Sequence, residues 1–183
     1  ERMGVSAIII EDKRGLKKNS LFGTDVPQTQ DSIEHFSQKI RAGKKTQLTD
    51  DFMIIARIES LILEQGLDEA LTRAAAFVDA GADAIMIHSR KQDPSQIFAF
   101  CDEFRKKDST TPLVVVPTSF NTVTEEEFCS HGVNIVIYAN QLTRSAFPAM
   151  QQTATDILRY HRAKKVDDRL MPISQILTLI DTL

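Results

Sequence analysis

The chain has 183 residues, 42% of them hydrophobic and 26% charged, and a formal net charge of −3. That is enough sequence for one sizeable core, with no global basic field to suggest nucleic acid. No apolar run approaches the ~20 residues of a membrane span, and no N-terminal stretch reads as a signal peptide. Cys101 and Cys129 lack metal or redox spacing, so a cytoplasmic location is expected. The chain begins Glu1-Arg2-Met3-Gly4, without an initiator methionine, which points to a missing N-terminal part.

In chain order, Gly4 precedes the apolar run Ala7-Ile8-Ile9-Ile10, a pattern repeated at Gly81 before Ala84-Ile85-Met86-Ile87 and at Gly132 before Ile135-Val136-Ile137. The glycine reads as the left-handed residue that ends a helix, and the run as a strand buried on both faces. A basic, glycine-containing stretch, residues 12–23, then leads to a helix capped by Asp31 and ending at Gly43. The strand Met53-Ile54-Ile55-Ala56 follows, then a helix from Asp68 to Ala80. After the Gly81 strand, Asp93-Pro94 starts a helix carrying Ile97, Phe100, Cys101 and Phe104 at helical spacing. Leu113-Val114-Val115-Val116 is a further strand, and Thr124-Glu125-Glu126-Glu127 is a capping box for a helix that stops at Gly132. A longer helix is expected from about Gln141 to Lys165, with Pro148 inside it. Pro172 to Leu183 reads as a last helix with Ile173, Ile176, Leu177 and Ile180 on one side.

Alternating wholly apolar strands and helices imply parallel strands covered by helices. The five units predict an α/β (β/α)8 TIM-type barrel of which this chain carries about the last five βα units plus a C-terminal helix. A complete barrel has eight strands and about 250 residues. Residues 1–165 would be the C-terminal portion of the barrel, and 166–183 a linker and helix that folds back or packs on another subunit. A complete five-stranded doubly wound fold is the alternative.

Chemistry in parallel β/α folds sits where the strands end. The strands here run into Glu11-Asp12-Lys13, Arg57-Ile58-Glu59, His88-Ser89-Arg90, Pro117-Thr118-Ser119 and Tyr138-Ala139-Asn140. Glu11 offers a hard oxygen to a magnesium-like cation. Arg57 supplies a rigid fork for carboxylate or phosphonate oxygens, with Glu59 on the same face as its partner. His88 can donate to a substrate oxygen or act as acid or base. His35, His131 and His161 lie on helices or helix ends and are assigned no role, and Cys101 is assigned to packing. The first two strands start at 6 and 53, and the next at 84, so the excess length lies after Glu11. A basic loop at that place suits a lid over an anion.

Glu11-Asp12-Lys13, then five residues, then Asn19-Ser20 resembles the gating-loop signature of the phosphoenolpyruvate mutase family, in the phosphoenolpyruvate mutase/isocitrate lyase superfamily. The resemblance continues through Ala56-Arg57-Ile58-Glu59, Gly66-Leu67-Asp68-Glu69-Ala70, Ala80-Gly81-Ala82-Asp83-Ala84, His88-Ser89 and Val116-Pro117-Thr118. It implies Mg2+ as cofactor and an isomerase interconverting phosphoenolpyruvate and phosphonopyruvate, the step that forms the C–P bond of phosphonates. It makes Glu11 a metal-shell carboxylate, reached largely through water. Lys17 and Asn19 become lid residues, Asn19 contacting the transferring phosphoryl group, while Ser20 and Leu21 support the closed lid. Arg57 binds the anion and His88 positions it. The family's loop has Phe-Pro before the lysine, whereas this chain has Gly15-Leu16.

The lyases of the superfamily carry a Lys-Lys-Cys-Gly-His motif; here Lys17-Lys18 is followed by Asn19-Ser20, so their catalytic cysteine has no counterpart. A phosphonopyruvate hydrolase or other C–C/C–P lyase remains the alternative enzyme, and a truncated barrel serving only in assembly the non-enzymatic one. The family's early-strand aspartates have no counterpart here, so the isolated chain is expected to be inactive. The resemblance also implies a homo-oligomer, dimer or tetramer, with an exchanged C-terminal helix.

Overall fold

The computed structural model describes residues 1–16 and 18–179. Lys17 and Ile180 to Leu183 therefore lie outside the described residues. The strands are β1 (Ala7–Glu11), β2 (Lys13–Arg14), β3 (Thr29–Gln30), β4 (Met53–Ile58), β5 (Ala84–Ile87), β6 (Leu113–Val115) and β7 (Ile135–Val136). The α-helices are α1 (Ile33–Thr46), α2 (Leu67–Asp79), α3 (Ser95–Arg105), α4 (Glu125–Ser130), α5 (Gln141–Tyr160) and α6 (Ile173–Ile176).

β1, β4, β5, β6 and β7 form one sheet in that order, and every pairing is parallel. The order never reverses, so the sheet has no switch point of the kind that defines a doubly wound fold. It is the order of consecutive barrel strands, each joined to its neighbour through a helix. Ala56, Ile58, Ile85, Ile87, Leu113 and Val115 point to the helices and pack with Phe36, Ile40, Phe77, Phe100 and Phe104. The alternate residues Ile55, Ala84, Met86, Val114 and Val116 form a second cluster on the opposite face, with Ala7, Met53 and Ile137 against it. Burial on both faces is why β5 and β6 read as continuous apolar runs rather than alternating ones; β1 and β7 depart from that expectation, since Ile8, Ile9 and Ile135 are exposed.

Two glycines show why a side chain is excluded. A Cβ at Gly43 would lie 2.6 Å from Ile54 Cδ1, so this position lets α1 approach the sheet. Gly43 therefore does not end the helix as expected; α1 runs on to Thr46. Gly132 has φ +78, and a Cβ there would lie 2.7 Å from Arg105 Nε. Arg105 donates from Nε (3.0 Å) and Nη2 (2.7 Å) to the Gly132 carbonyl, tying α3 to the turn before β7.

The expected caps hold in part. Thr124 and Glu127 form both halves of the capping box. Ser32, not Asp31, caps α1: the Asp31 carboxylate pairs with the half-exposed His35 and Lys39, and its carbonyl accepts from Arg73. Asp93 accepts from the Ser95 amide, and Pro94 is itself the cap residue of α3.

The chain divides into two compact units, Glu1–Ala139 and Asn140–Leu183. The first holds the whole sheet. In the second, α5 contains Pro148 and ends at Tyr160, short of the expected Lys165, because His161 turns left-handed at φ 50. A 3-10 helix, Ala163–Arg169, packs on α5, buries Val166 and pairs Arg169 with Asp156. The last segment is α-helical over Ile173–Ile176 among the described residues, rather than throughout. No helix among them is long and apolar enough to cross a membrane.

Candidate active site

Alternation along the strands decides what gathers at their C-terminal ends. Glu11 pairs in register with Arg57, and Arg57 with Met86. Continuing Ala7 and Ile9 by twos on β1 reaches Glu11. The same step from Ile55 reaches Arg57 and Glu59, and from Met86 it reaches His88. These polar residues thus stand on the face away from the helices, above the second apolar cluster.

Glu11, Arg57 and Glu59 form one ion-pair network with Lys13 and Ser20. Arg57 Nε donates to Glu59 Oε1 at 2.7 Å, and its Nη2 to Ser20 Oγ at 2.7 Å. Ser20 in turn donates to Glu59 Oε2 at 2.7 Å. Lys13 Nζ lies 2.9 Å from Glu59 Oε2 and 3.1 Å from Ser20 Oγ. Glu11, almost fully buried, faces Arg57 at 3.5 Å and Lys13 at 3.6 Å. Burial raises the Glu59 pKa, but Arg57 and the hydrogen bonds from Ser20 and Lys13 outweigh it and hold the carboxyl below the usual range. Glu59 is therefore ionised and fixes the fork of Arg57.

His88 is buried, and its Nδ1 has no hydrogen-bond partner among the described residues. Burial, then the charge of Arg57, presses its pKa down to about 4, with Lys13 adding to the effect and Glu59 opposing it. The ring is neutral near pH 7, with a nitrogen left over for a ligand. The unfolded chain binds this proton near pH 6.5 and the folded chain only near 4. Stability contributed by neutral His88 is thus complete above pH 6.5 and lost as pH falls towards 4, by roughly 3 kcal/mol. Urea melts of wild type and His88→Gln across this window should differ by that slope, the variant being the flatter.

The loop after β1 is better organised than its sequence suggests. β2 and β3 pair antiparallel, Lys13 with Gln30 and Arg14 with Thr29, and close the base of the loop. Within it, Ser20–Asp25 forms a 3-10 helix whose N-cap, Asn19, accepts the Leu21 amide at 2.9 Å. Ser20 is buried on Arg57 and Glu59, whereas Asn19 and Leu21 are exposed. Arg90, beyond β5, reaches Glu64 at 3.2 Å and Asp25 at 3.5 Å. The structure thus brings Glu11, Ser20, Arg57 and His88 together. It leaves Asn19 and Leu21 at the loop surface, and Lys17 lies outside the described residues.

Two residues of the network carried no assigned role in the sequence reading. Lys13 shares the face of Glu11 because it lies two residues on, and Asp12 points the other way, towards α2. There Asp12 accepts from Gln30 Nε2 (2.8 Å), the Glu59 amide (2.9 Å) and Arg73 Nη1 (3.1 Å). Burial pushes its carboxyl up to about 7, against these donors. The signal was present: in Glu-Asp-Lys at a strand end, alternation alone sends the first and third residues to the rim.

As a metal ligand Glu11 offers one buried carboxylate. Among the described residues no group of three or more His, Cys, Asp or Glu could hold a metal ion. Glu11 therefore fits Mg2+ as a single member of a shell, since Mg2+ also needs water or substrate oxygens.

A family model described as phosphoenolpyruvate phosphomutase matches residues 1–158. The chain belongs to the phosphoenolpyruvate phosphomutase family. The phosphoenolpyruvate phosphomutase of Tetrahymena pyriformis is 38% identical over 179 residues, covering 98% of this chain and 58% of that protein. The phosphonopyruvate hydrolase of Variovorax sp. (strain Pal2) is 40% identical over 180 residues, covering 98% and 61%. Among solved structures, phosphoenolpyruvate phosphomutase from Streptomyces platensis subsp. rosaceus superimposes with a TM-score of 0.89 at 37% identity, over 96% of this chain and 60% of that one. A phosphonopyruvate hydrolase in complex with oxalate and Mg++ gives 0.84 at 36% identity, over 96% and 59%. The chain spans about three fifths of the length of these phosphomutase-family relatives.

Proposed function

We propose that the protein carrying this chain interconverts phosphoenolpyruvate and phosphonopyruvate, with Mg2+ held in part by Glu11. The observation that carries this reading is the fork of Arg57, fixed by ionised Glu59 beneath the Asn19-Ser20 loop and accompanied by a buried, neutral His88. Phosphoryl transfer through a loose transition state gains most from positioning and charge stabilisation. Arg57 binds the anionic oxygens of the substrate, and His88 offers a hydrogen bond that orients it. The rim residues Lys13 and Arg57 are balanced by Glu11 and Glu59, so they bring no net charge to a multiply charged anion. Mg2+, when bound, supplies the missing positive charge.

Asn19 and Lys17 act from the loop. Asn19 is exposed here, so contact with a phosphoryl group at the rim requires the tip to close, which also excludes water. Hydrolysis is the second reading, favoured by the 40% identity to the Variovorax hydrolase. Asn19-Ser20 in the loop supports the mutase instead. The 183-residue chain alone is proposed to lack turnover, because Glu11 is only part of a metal shell. Exposed Phe147, Met150 and Leu158 on α5, with Ile173 and Leu177 after it, suit burial in a homo-oligomer, dimer or tetramer.

Phosphorus NMR of phosphonopyruvate with Mg2+ and the full-length protein tests the reaction. Conversion to phosphoenolpyruvate is expected; release of inorganic phosphate with pyruvate would establish the hydrolase instead.

A further inference from the structure

We propose that Lys13 is a positioning residue that couples the loop to the anion-binding rim. The proposal deepens the reading above and rests on it for its kinetic arm.

A lysine side chain that is only 4% exposed is uncommon and needs its charge met. The Lys13 ammonium meets four groups drawn from both sides of the site. Glu59 Oε2 lies at 2.9 Å and Glu11 Oε1 at 3.6 Å, on the rim. Ser20 Oγ at 3.1 Å and the Lys18 carbonyl at 3.4 Å belong to the loop. The backbone of Lys13 is held in turn by its ladder to Gln30. The ammonium is thus a fixed point charge, placed by the hairpin base rather than by a flexible stem.

Its position has two effects. On the rim, Lys13 and Arg57 divide the Glu59 carboxylate, Oε2 going to one and Oε1 to the other. Removing Lys13 leaves Ser20 as the remaining side-chain donor to Glu59 Oε2 among the described residues, so the direction of the Arg57 fork is less firmly fixed. It also leaves Glu11 and Glu59 opposite a single cation, so the rim becomes net negative towards an incoming anion. On the loop, the same ammonium holds Lys18 and Ser20, the residues either side of Asn19. Loop placement and anion affinity therefore share one group.

The test compares wild type, Lys13→Met and Lys13→Arg in the full-length protein, by hydrogen exchange and by steady-state kinetics with phosphonopyruvate and Mg2+. In Lys13→Met the Leu21 and Phe22 amides, both bonded to Asn19, should exchange faster, while those of β5 and β6 do not change. KM should rise about ten- to a hundredfold, with a smaller fall in kcat. Lys13→Arg, which keeps the charge, should recover part of the KM. Unchanged loop exchange together with unchanged KM would overturn the proposal. So would a fall in kcat alone, or a Lys13→Arg variant as impaired as Lys13→Met. If β5 and β6 also exchange faster in Lys13→Met, Lys13→Gln takes its place, with the same outcomes. Absence of turnover in wild type would refute the functional reading but not the Lys13 proposal, which the exchange of the Leu21 and Phe22 amides then decides.

Discussion

Arg57→Ala is expected to abolish measurable turnover of phosphonopyruvate in the full-length protein and to destabilise the fold at the same time. Two physical effects combine. The substitution removes the donors proposed to bind the substrate's anionic oxygens, and loss of one such donor typically costs about a hundred- to a thousandfold in kcat. It also strips Glu59, whose side chain is fully buried, of its 2.7 Å partner. Breaking a buried pair from one side costs about 3–5 kcal/mol. Lys13 and Ser20 still meet Glu59 Oε2, so the lower end of that range is expected. Arg57→Lys separates the effects: it restores much of the stability by keeping a cation near Glu59, and little of the turnover, because an ammonium lacks the planar fork. Denaturation curves and steady-state rates on the same preparations read both.

Asp12→Ala is expected to be the most destabilising single change at the site, by about 3–5 kcal/mol in chemical denaturation. Three donors from three different elements converge on this carboxylate: Gln30 of β3, the Glu59 amide beyond β4, and Arg73 of α2. The Glu59 amide, on a fully buried residue, loses its side-chain acceptor, while Gln30 keeps Ser60. Arg73 retains Glu69 and the Asp31 carbonyl, each at 2.7 Å, which keeps the loss within that range. The damage should spread to the loop, since Gln30 bridges Asp12 and Ser60 while pairing with Lys13. Faster exchange at residues 29–31 than in wild type would mark it. A loss below about 1 kcal/mol, the usual range for a surface change, would show that Asp12 is not the junction described.

The middle of the sheet was legible in the sequence because β5 and β6 are covered on both faces; β1 and β7 were found by the same apolar runs although Ile8, Ile9 and Ile135 are exposed. Ala84–Ile87 and Leu113–Val115 are buried throughout and could be nothing but interior strands once their length was noted. The rim followed from the same strands, since Glu11, Arg57 and His88 are where apolar runs break. The hairpin of β2 and β3 was not legible: two-residue strands made of Lys-Arg and Thr-Gln carry no apolar period, and their pairing depends on contacts across the loop. Gly43 misled because a glycine near a helix end commonly stops it, whereas here close packing on Ile54 is the constraint. Asp31 misled for the opposite reason. The carboxylate of a good capping residue pairs with His35 and Lys39 of the helix it precedes, and its neighbour Ser32 took the cap. Ser20 could be assigned to the loop from the resemblance alone, but only the fold shows it seated between Arg57 and Glu59.

The central claim is that a small anion binds where Arg57 and His88 meet at the strand ends. The most direct measurement is a crystal structure of the full-length protein soaked with oxalate and Mg2+. Oxalate oxygens are expected on the Arg57 donors that Glu59 and Ser20 do not use, with His88 within hydrogen-bond reach and the metal on the side of Glu11. Oxalate bound away from Arg57, or a metal held without Glu11 or its bound water, would contradict it.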